Sequence, residues 1–305
     1  MITLAHLSDM HVSPLPPLKW REFTLKRALA YLSWHRKRKY RFSSDVLACL
    51  IDDMHAHKPD HIALTGDLCN LSLREEFESA TSWLNRIGNG DKVSVIAGNH
   101  DAHLRNPAKV WREFWADYMQ GDASENHDAT LSFPYLRKRG DVALIGVSSA
   151  IPTSLLFANG RVKKAQLARL RTILRATHEE GLFRVVMIHH PPQANAVSWR
   201  KSLSDADAFR ALLKQEGAEL ILHGHGHVPT RAHIEGPENA IHIRGTAAAS
   251  SSGIKMPPAH YHLIKIAPHE NNPAFWQVSI THRQFDVSAQ SFFTSDMEEL
   301  DIKRP

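Results

Sequence analysis

An α/β layered fold is what the sequence predicts, and three observations carry the expectation. Short apolar runs of strand length alternate with amphipathic runs at helical spacing from the N-terminus to His227. Five of the apolar runs end in small clusters of Asp, Asn and His. Beyond His227 the pattern changes to short β-rich stretches, which a second sheet packed on the first would accommodate.

The elements follow in order. Ile2–Leu7 reads as the first strand and leads into Asp9-Met10-His11. After a proline-rich, then basic and aromatic stretch, Asp45–His57 has helical spacing, with Ser44 placed as its N-cap. His61–Thr65 reads as a strand, Arg74–Ile87 as a helix, Val93–Ala97 as a strand and Ala108–Tyr118 as a helix. Val142–Val147 and Phe183–Ile188 read as buried strands with the helix-like Lys163–Glu179 between them. Asp205–Gln215, capped by Ser204, precedes the strand-like Leu220–Leu222. Ala240–Ile243, Tyr261–Ile266 and Trp276–Ile280 are the later strand-like stretches, and Thr246–Gly253 (TAAASSSG) reads as a flexible loop. Without an internal repeat or long linker, one domain over 1–305 is expected, with an insert at about 14–43 and a β-rich part at about 228–287.

At 305 residues, 43% hydrophobic and 23% charged, the composition is that of a soluble globular protein. No run approaches the roughly 20 apolar residues of a membrane-spanning helix, and the N-terminus shows no basic-then-apolar secretory signal. Cys49 and Cys69 have no CxxC partners, so a disulfide framework is not expected and a reducing, cytoplasmic setting fits. The net charge of +5 is unevenly placed. Lys19, Arg21, Lys26, Arg27, Arg36, Lys37, Arg38, Lys39 and Arg41 are opposed by Glu22 alone, so that stretch carries +8 and the rest −3. The distribution argues against a whole-surface nucleic-acid binder and for a local anionic partner.

The five clusters are Asp9 and His11; Gly66-Asp67; Gly98-Asn99-His100-Asp101; His189-His190; and Gly224-His225-Gly226-His227. At i and i+2 on an extended backbone, Asp9 and His11 share a face and can reach one cation, and His225 and His227 have the same spacing. Asp67 has two carboxylate oxygens, so it can bridge two cations roughly 3.5–4 Å apart, the separation of two-metal hydrolytic sites. Asn99 offers a neutral oxygen and His189 a further nitrogen. Such mixed ligation suits Mn, Fe or Zn better than Mg or Ca. A lone GD or GNHD is an ordinary turn. Five clusters in this order at strand ends specify a site for two divalent metal ions.

The motifs DxH, GD, GNHD, a strand-terminal His and GHxH resemble those of the calcineurin-like metallophosphoesterase superfamily over roughly residues 4–228, and His189–Pro192 (HHPP) is most similar to its class III cyclic-nucleotide phosphodiesterase branch. The resemblance implies a four-layer fold in which a two-sheet β-sandwich is flanked by helices. It implies one metal on Asp9, His11, Asp67 and His227, and another on Asp67, Asn99, His189 and His225. His100 would contact the scissile phosphate or leaving group, with Asp101 orienting it, while His190 and His223 fall outside the ligand set. The implied reaction is hydrolysis of a phosphodiester, a cyclic nucleotide first among candidates, by attack of a metal-bound hydroxide. A pyrophosphate, such as a lipid-linked nucleotide diphosphate, is the enzymatic alternative. A non-catalytic scaffold is the other class, and retention of His100 and every ligand position argues against it.

The insert raises a separate question. Pro14, Pro16 and Pro17 forbid continuous helix, which becomes plausible from about Leu18. At about 100° per residue, Leu18, Leu25, Leu29 and Leu32 fall on one side, and Trp20, Phe23, Tyr31 and Trp34 nearly opposite. A helix that only covers a core needs one apolar stripe, so the aromatic stripe requires another partner. The candidates are protein (a lid or a homodimer contact) and an anionic membrane surface or lipid substrate met through residues 18–41, peripherally at the inner face of a membrane. Nucleic acid ranks last. The insert follows His11 directly, which places it beside the metal mouth.

Overall fold

The computed structural model describes residues 1–122 and 131–305. β1 (Ile2–Leu7), β2 (His61–Leu64) and β3 (Val93–Val95) pair in parallel. Parallel neighbours need crossovers. The first carries α1 (Leu25–Arg36) and α2 (Ser44–Ala56), and the second carries α3 (Arg74–Ile87). α4 (Pro107–Trp115) follows β3. Further along, β4 (Tyr135–Arg139) pairs antiparallel with β5 (Val142–Val147). β5, β6 (Phe183–Ile188) and β7 (Leu220–His223) are parallel, connected through α5 (Lys164–Glu179) and α6 (Ala206–Glu216). β8 (Thr230–Ile234), β9 (Ile241–Gly245), β10 (His260–Pro268), β11 (Phe275–Asp286) and β12 (Ser291–Lys303) complete two six-stranded sheets, in the orders β12-β11-β10-β1-β2-β3 and β4-β5-β6-β7-β9-β8.

The expected two-sheet α/β fold is present, but the C-terminal strands do not make a sheet of their own. β10, β11 and β12 extend the first sheet beside β1, and β8 and β9 extend the second. Alternation along β6 shows the layering. Val185 and Met187 join the core shared with the first sheet, whereas Val186 and Ile188 pack with Leu170, Leu174, Phe209 and Leu213 of α5 and α6. Three parallel strands in the first sheet (β1, β2, β3) and four in the second (β5, β6, β7, β9) point the same way within their sheet, so their C-terminal ends share an edge. All five clusters lie at those ends.

Four local expectations change. α2 is capped by Ser43, whose Oγ accepts from Asp45 and Val46 N–H, rather than by Ser44. The cap of α6 is Asp205, not Ser204, and its carboxylate accepts from Val162 and Lys163 N–H instead of closing its own helix. Thr246–Gly253 is not a free loop, because residues 246–251 are buried and Ala249 N–H donates to Ser8 O. The insert is not one helix from Leu18. A single 3-10 turn at Trp20–Glu22 precedes α1, which Thr24 caps.

The faces of α1 are the reverse of the sequence expectation. Trp34 is buried with Leu15, Phe42, Leu71 and Leu73, and Tyr31 packs against that cluster. Leu25, Leu29 and Leu32 are exposed. Arg27 decides the orientation. Its guanidinium donates to the carbonyls of Leu71 (3.0 Å) and Glu22 (3.1 Å) and to that of Ser72, so its side of the helix faces protein. No described helix is long and apolar enough to cross a membrane.

Candidate metal centre

Asp9 and His11 leave β1, Asp67 leaves β2 and Asn99 follows β3, while His189 leaves β6, and His225 and His227 follow β7. The chain turns so sharply at these points that Asp9 (φ 55°), His11 (41°), Asp67 (54°), His225 (67°) and His227 (54°) all occupy the left-handed region. Non-glycine residues rarely enter it, and strain of this kind gathers at functional sites. Two glycines give the ligands room. A Cβ on Gly98 would collide with the Asp67 carboxylate, and one on Gly224 with Ser8 Oγ and the Asp9 carboxylate.

The side chains converge in two groups. Asp9, His11, Asp67 and His227 offer ligand atoms all within 4.8 Å of one another, as do Asp67, His189 and His225. His227 Nε2 lies 3.1 Å from Asp9 Oδ1 and 3.1 Å from His11 Nε2. His189 Nε2 lies 3.4 Å from Asp67 Oδ2 and 3.3 Å from Asn99 Oδ1. The aspartates are held in turn, Asp67 Oδ1 by His100 N–H (2.7 Å) and Asp9 Oδ2 by His225 N–H (3.0 Å).

Whether these residues suit two cations is decided by their imidazoles. His11 Nδ1 donates to Cys69 O (3.1 Å) and His189 Nδ1 to Thr65 O (2.7 Å), which leaves each Nε2 aimed into the site as the ligand nitrogen. With that tautomer, His11 Nε2 and His227 Nε2 meet at 3.1 Å where a shared cation would resolve the contact. His225 Nε2 is buried without a partner. Burial, then Arg38, hold His11 well below its ordinary value, and burial, then His190, do the same for His225, so both are neutral donors. Burial pulls His189 down, but the Asp67 carboxylate outweighs it and pushes the imidazole up to about 9 without metal. Burial opposes ionisation of Asp9, yet His227, His189 and His11 hold it below the carboxylate range. The donor set fits two divalent metals.

His100 stands beside this group with Nδ1 donating to Asn70 O (2.6 Å). Asp101 does not touch the ring. Its carboxylate instead accepts from the N–H groups of Cys69 (2.8 Å), Gly98 (2.8 Å) and Leu68 (3.3 Å), tying the Asp67 loop to the Asn99 loop. His190 has both nitrogens engaged, with Ser149 Oγ (2.7 Å) and Ala158 O (3.1 Å). His223 contacts Gly224 O and Gln193. Neither is free to ligate.

One residue escaped the sequence reading. Arg38, counted there only as charge, places Nη1 3.4 Å from His100 Nε2 and Nη2 3.5 Å from His11 Nε2. Phe42 supports it, with Arg38 5.3 Å above its ring and His11 packed 4.5 Å away. A cleft of about 500 Å³ opens over the centre, lined by Lys37, Arg38, Arg41, Lys201 and Lys255, with Asp67 its single acidic lining residue among those described.

A sequence profile of the family described as calcineurin-like phosphoesterase matches residues 2–229. The chain belongs to that family. No curated protein matches it by sequence. Among solved structures it is similar to a dimetal phosphatase from Danio rerio, at 11% identity and TM-score 0.64, over 100% of this chain and 99% of that one. A purple acid phosphatase from yellow lupin (Lupinus luteus) aligns at 11% identity and TM-score 0.60, over 99% of this chain and 54% of the other. Haemophilus influenzae NAD nucleotidase aligns at 10% and 0.51, over 97% and 53%. At such identities the likeness is one of fold. As a calcineurin-like phosphoesterase, the chain carries a metal-dependent phosphoester hydrolase scaffold whose Asp and His clusters suit a dinuclear centre.

Proposed function

We propose that this phosphoesterase hydrolyses a phosphodiester or pyrophosphate bond in a substrate that carries at least one further anionic group and an apolar portion. The supporting observation is the cleft wall, where five cationic side chains stand above a centre whose two ions would take one phosphoryl group. A cyclic nucleotide brings a single negative charge to that wall and leaves most of it unused. A diphosphate brings more, so the pyrophosphate reading is favoured. A second cavity of about 410 Å³ shares Lys37, Arg41 and Lys255 with the first and adds Arg36, Tyr40 and Ile254.

The apolar portion is suggested by the rim. Lys26 Nζ donates to Thr153 Oγ1 (2.7 Å) and Thr153 O (3.0 Å), which holds α1 against the 153–157 segment. Exposed Leu25, Leu29 and Leu32 lie on the helix so held, exposed Leu155 and Leu156 (73%) lie on the segment, and Trp199 (68%) meets Phe157 edge-on at 5.4 Å. A lipid-linked substrate presented at an anionic membrane surface suits such a rim better than a soluble nucleotide does.

Asp9, His11, Asp67 and His227 would hold one ion, and Asp67, Asn99, His189 and His225 the other. When bound, two such ions lower the pKa of water toward neutrality and offset phosphoryl charge. Arg38 would donate to the non-bridging oxygens of the bound phosphoryl group. His100 is held below its ordinary value by burial and by Arg38, so it enters neutral. An arriving phosphoryl anion favours the imidazolium, which can then pass a proton from Nε2 to the departing oxygen.

The test is Mn-loaded protein assayed against a cyclic nucleotide, a lipid-linked nucleotide diphosphate and a phosphomonoester. Highest kcat/KM on the diphosphate is expected. A preference for the monoester refutes the reading, and a preference for the cyclic nucleotide returns the site to the diester class.

A further inference from the structure

A second group of histidines lies in the sandwich, apart from the seven candidate ligands. His260 and His262 sit at i and i+2 on β10, and His262 is paired directly with His282 across to β11. Alternation puts the three imidazoles on one sheet face. The intervening residues point the opposite way, Tyr261 and Arg283 both reaching Asp53 of α2. The histidine face is therefore the one turned toward the second sheet, and all three side chains are buried.

Hydrogen bonding there is incomplete in an informative way. Each imidazole offers a ring nitrogen within 4.8 Å of the other two. His262 Nε2 and His260 Nδ1 are buried with no partner. The remaining contacts allow tautomers that leave lone pairs for a ligand. His282 Nε2 donates to Glu298 Oε1 at 2.6 Å, so its Nδ1 is unprotonated. His262 Nδ1 lies 3.2 Å from His6 Nδ1, and His6 Nε2 lies 3.0 Å from Thr65 Oγ1. One assignment satisfies this chain, with His262 Nδ1 donating to His6 and His6 Nε2 donating to Thr65, and it frees His262 Nε2 to coordinate.

We propose that His260, His262 and His282 form a third metal site, structural in role, for a borderline divalent ion of the zinc class. Three neutral imidazoles, two from alternate positions of one strand and one from its antiparallel neighbour, are a donor set that zinc accepts. Glu298 completes a carboxylate–histidine–metal arrangement of the kind that orients metal-bound imidazoles. It also pairs with Arg244 of β9 and Arg231 of β8, at 3.0 and 3.2 Å, so the nearby guanidinium charge is partly offset. Burial holds His260 at about 3 and keeps His262 and His282 below their ordinary values, consistent with unprotonated donors. The site joins β10 and β11 in the first sheet and leans on β8 and β9 in the second.

The proposal does not rest on the substrate reading, and its test needs no turnover. Full-length protein is stripped with chelator and reloaded with Co²⁺, with metal counted by mass spectrometry and coordination followed by d–d absorption. Wild type is expected to retain three equivalents per chain. An Asp9→Asn/Asp67→Asn double variant, which lacks both carboxylates of the dinuclear centre, is expected to retain one, with a nitrogen-rich spectrum. Adding His262→Gln should remove that ion. Two equivalents in wild type overturn the proposal, as does a spectrum unchanged by His262→Gln. If His262→Gln fails to fold, His282→Asn and the wild-type count decide in its place.

Discussion

Replacing Arg38 with Ala tests the part of the site that sequence motifs do not describe. Its two Nη groups point at Nε2 of His100 and of His11, at 3.4 and 3.5 Å. A cation on His11 Nε2 would remove one of those acceptors and a protonated His100 Nε2 the other, leaving two donors aimed into the cleft for phosphoryl oxygens. Two hydrogen bonds to a charged partner are worth roughly 1.5–3 kcal/mol each. Because Arg38, though partly buried, lines an open cleft where water screens charge, the pair is discounted to about 2–3 kcal/mol. That corresponds to a fall of roughly 30–150-fold in kcat/KM. Arg38→Lys keeps the charge but loses the two-pronged geometry, and should recover only part of it. The assay is kcat/KM on a chromogenic diester with bound metal counted in the same samples, and exposed Lys39→Ala as control. If Arg38→Ala stays within about threefold of wild type with both metals present, Arg38 has no role in transition-state binding.

Three further outcomes are expected. Asp67→Asn should lose bound metal and nearly all turnover, since one carboxylate serves both clusters; full activity in the metal-free variant would contradict the ligand assignment. Gly224→Ala should destabilise the fold by about 1–3 kcal/mol and lower metal occupancy, because its Cβ meets Ser8 and the Asp9 carboxylate, as thermal melts with and without Mn²⁺ would reveal. Metal binding should release a proton from His189, whose metal-free pKa is pushed up to about 9. The group is protonated below that value and unprotonated once ligated, so apparent affinity should rise up to about tenfold per pH unit from 7 to 9 and then level off. Calorimetry in buffers of different ionisation enthalpy reads the proton count.

What the sequence revealed depended on how local its physics was. β1, β5, β6 and α3 have the bounds read from their apolar patterns, because a strand buried on both faces writes a continuous apolar run into the chain and a helix buried on one side writes its period. β4 (YLRKR) and β12 (SFFTSDMEELDIK) lie at sheet edges with mixed or mostly exposed side chains, so they carry no apolar run to read. The seven candidate ligands were legible because their spacing is tied to strand ends. Arg38 was not, since only the fold of the insert brings it over His11 and His100. α1 misled for a related reason. Its leucines outnumber its buried aromatics, yet the hydrogen bonds of Arg27 to the 71–72 backbone select the opposite face. The histidines of β10 and β11 are separated by about twenty residues and meet only through strand register.

The two clusters of the metal centre do not respect the division between sheets. Asp9, His11, Asp67 and Asn99 come from the first sheet, His189, His225 and His227 from the second, and each implied cation has donors from both. Bound metal would therefore staple one end of the sandwich shut. Ligand saturation a thousandfold above the dissociation constant adds about 4 kcal/mol to a fold, and here that gain falls on the seam between the sheets. Chelation should then open the protein like a book from its catalytic edge, with amide exchange quickening first at the ends of β1, β2, β6 and β7. Metal supply would set how long the protein survives as well as how fast it works.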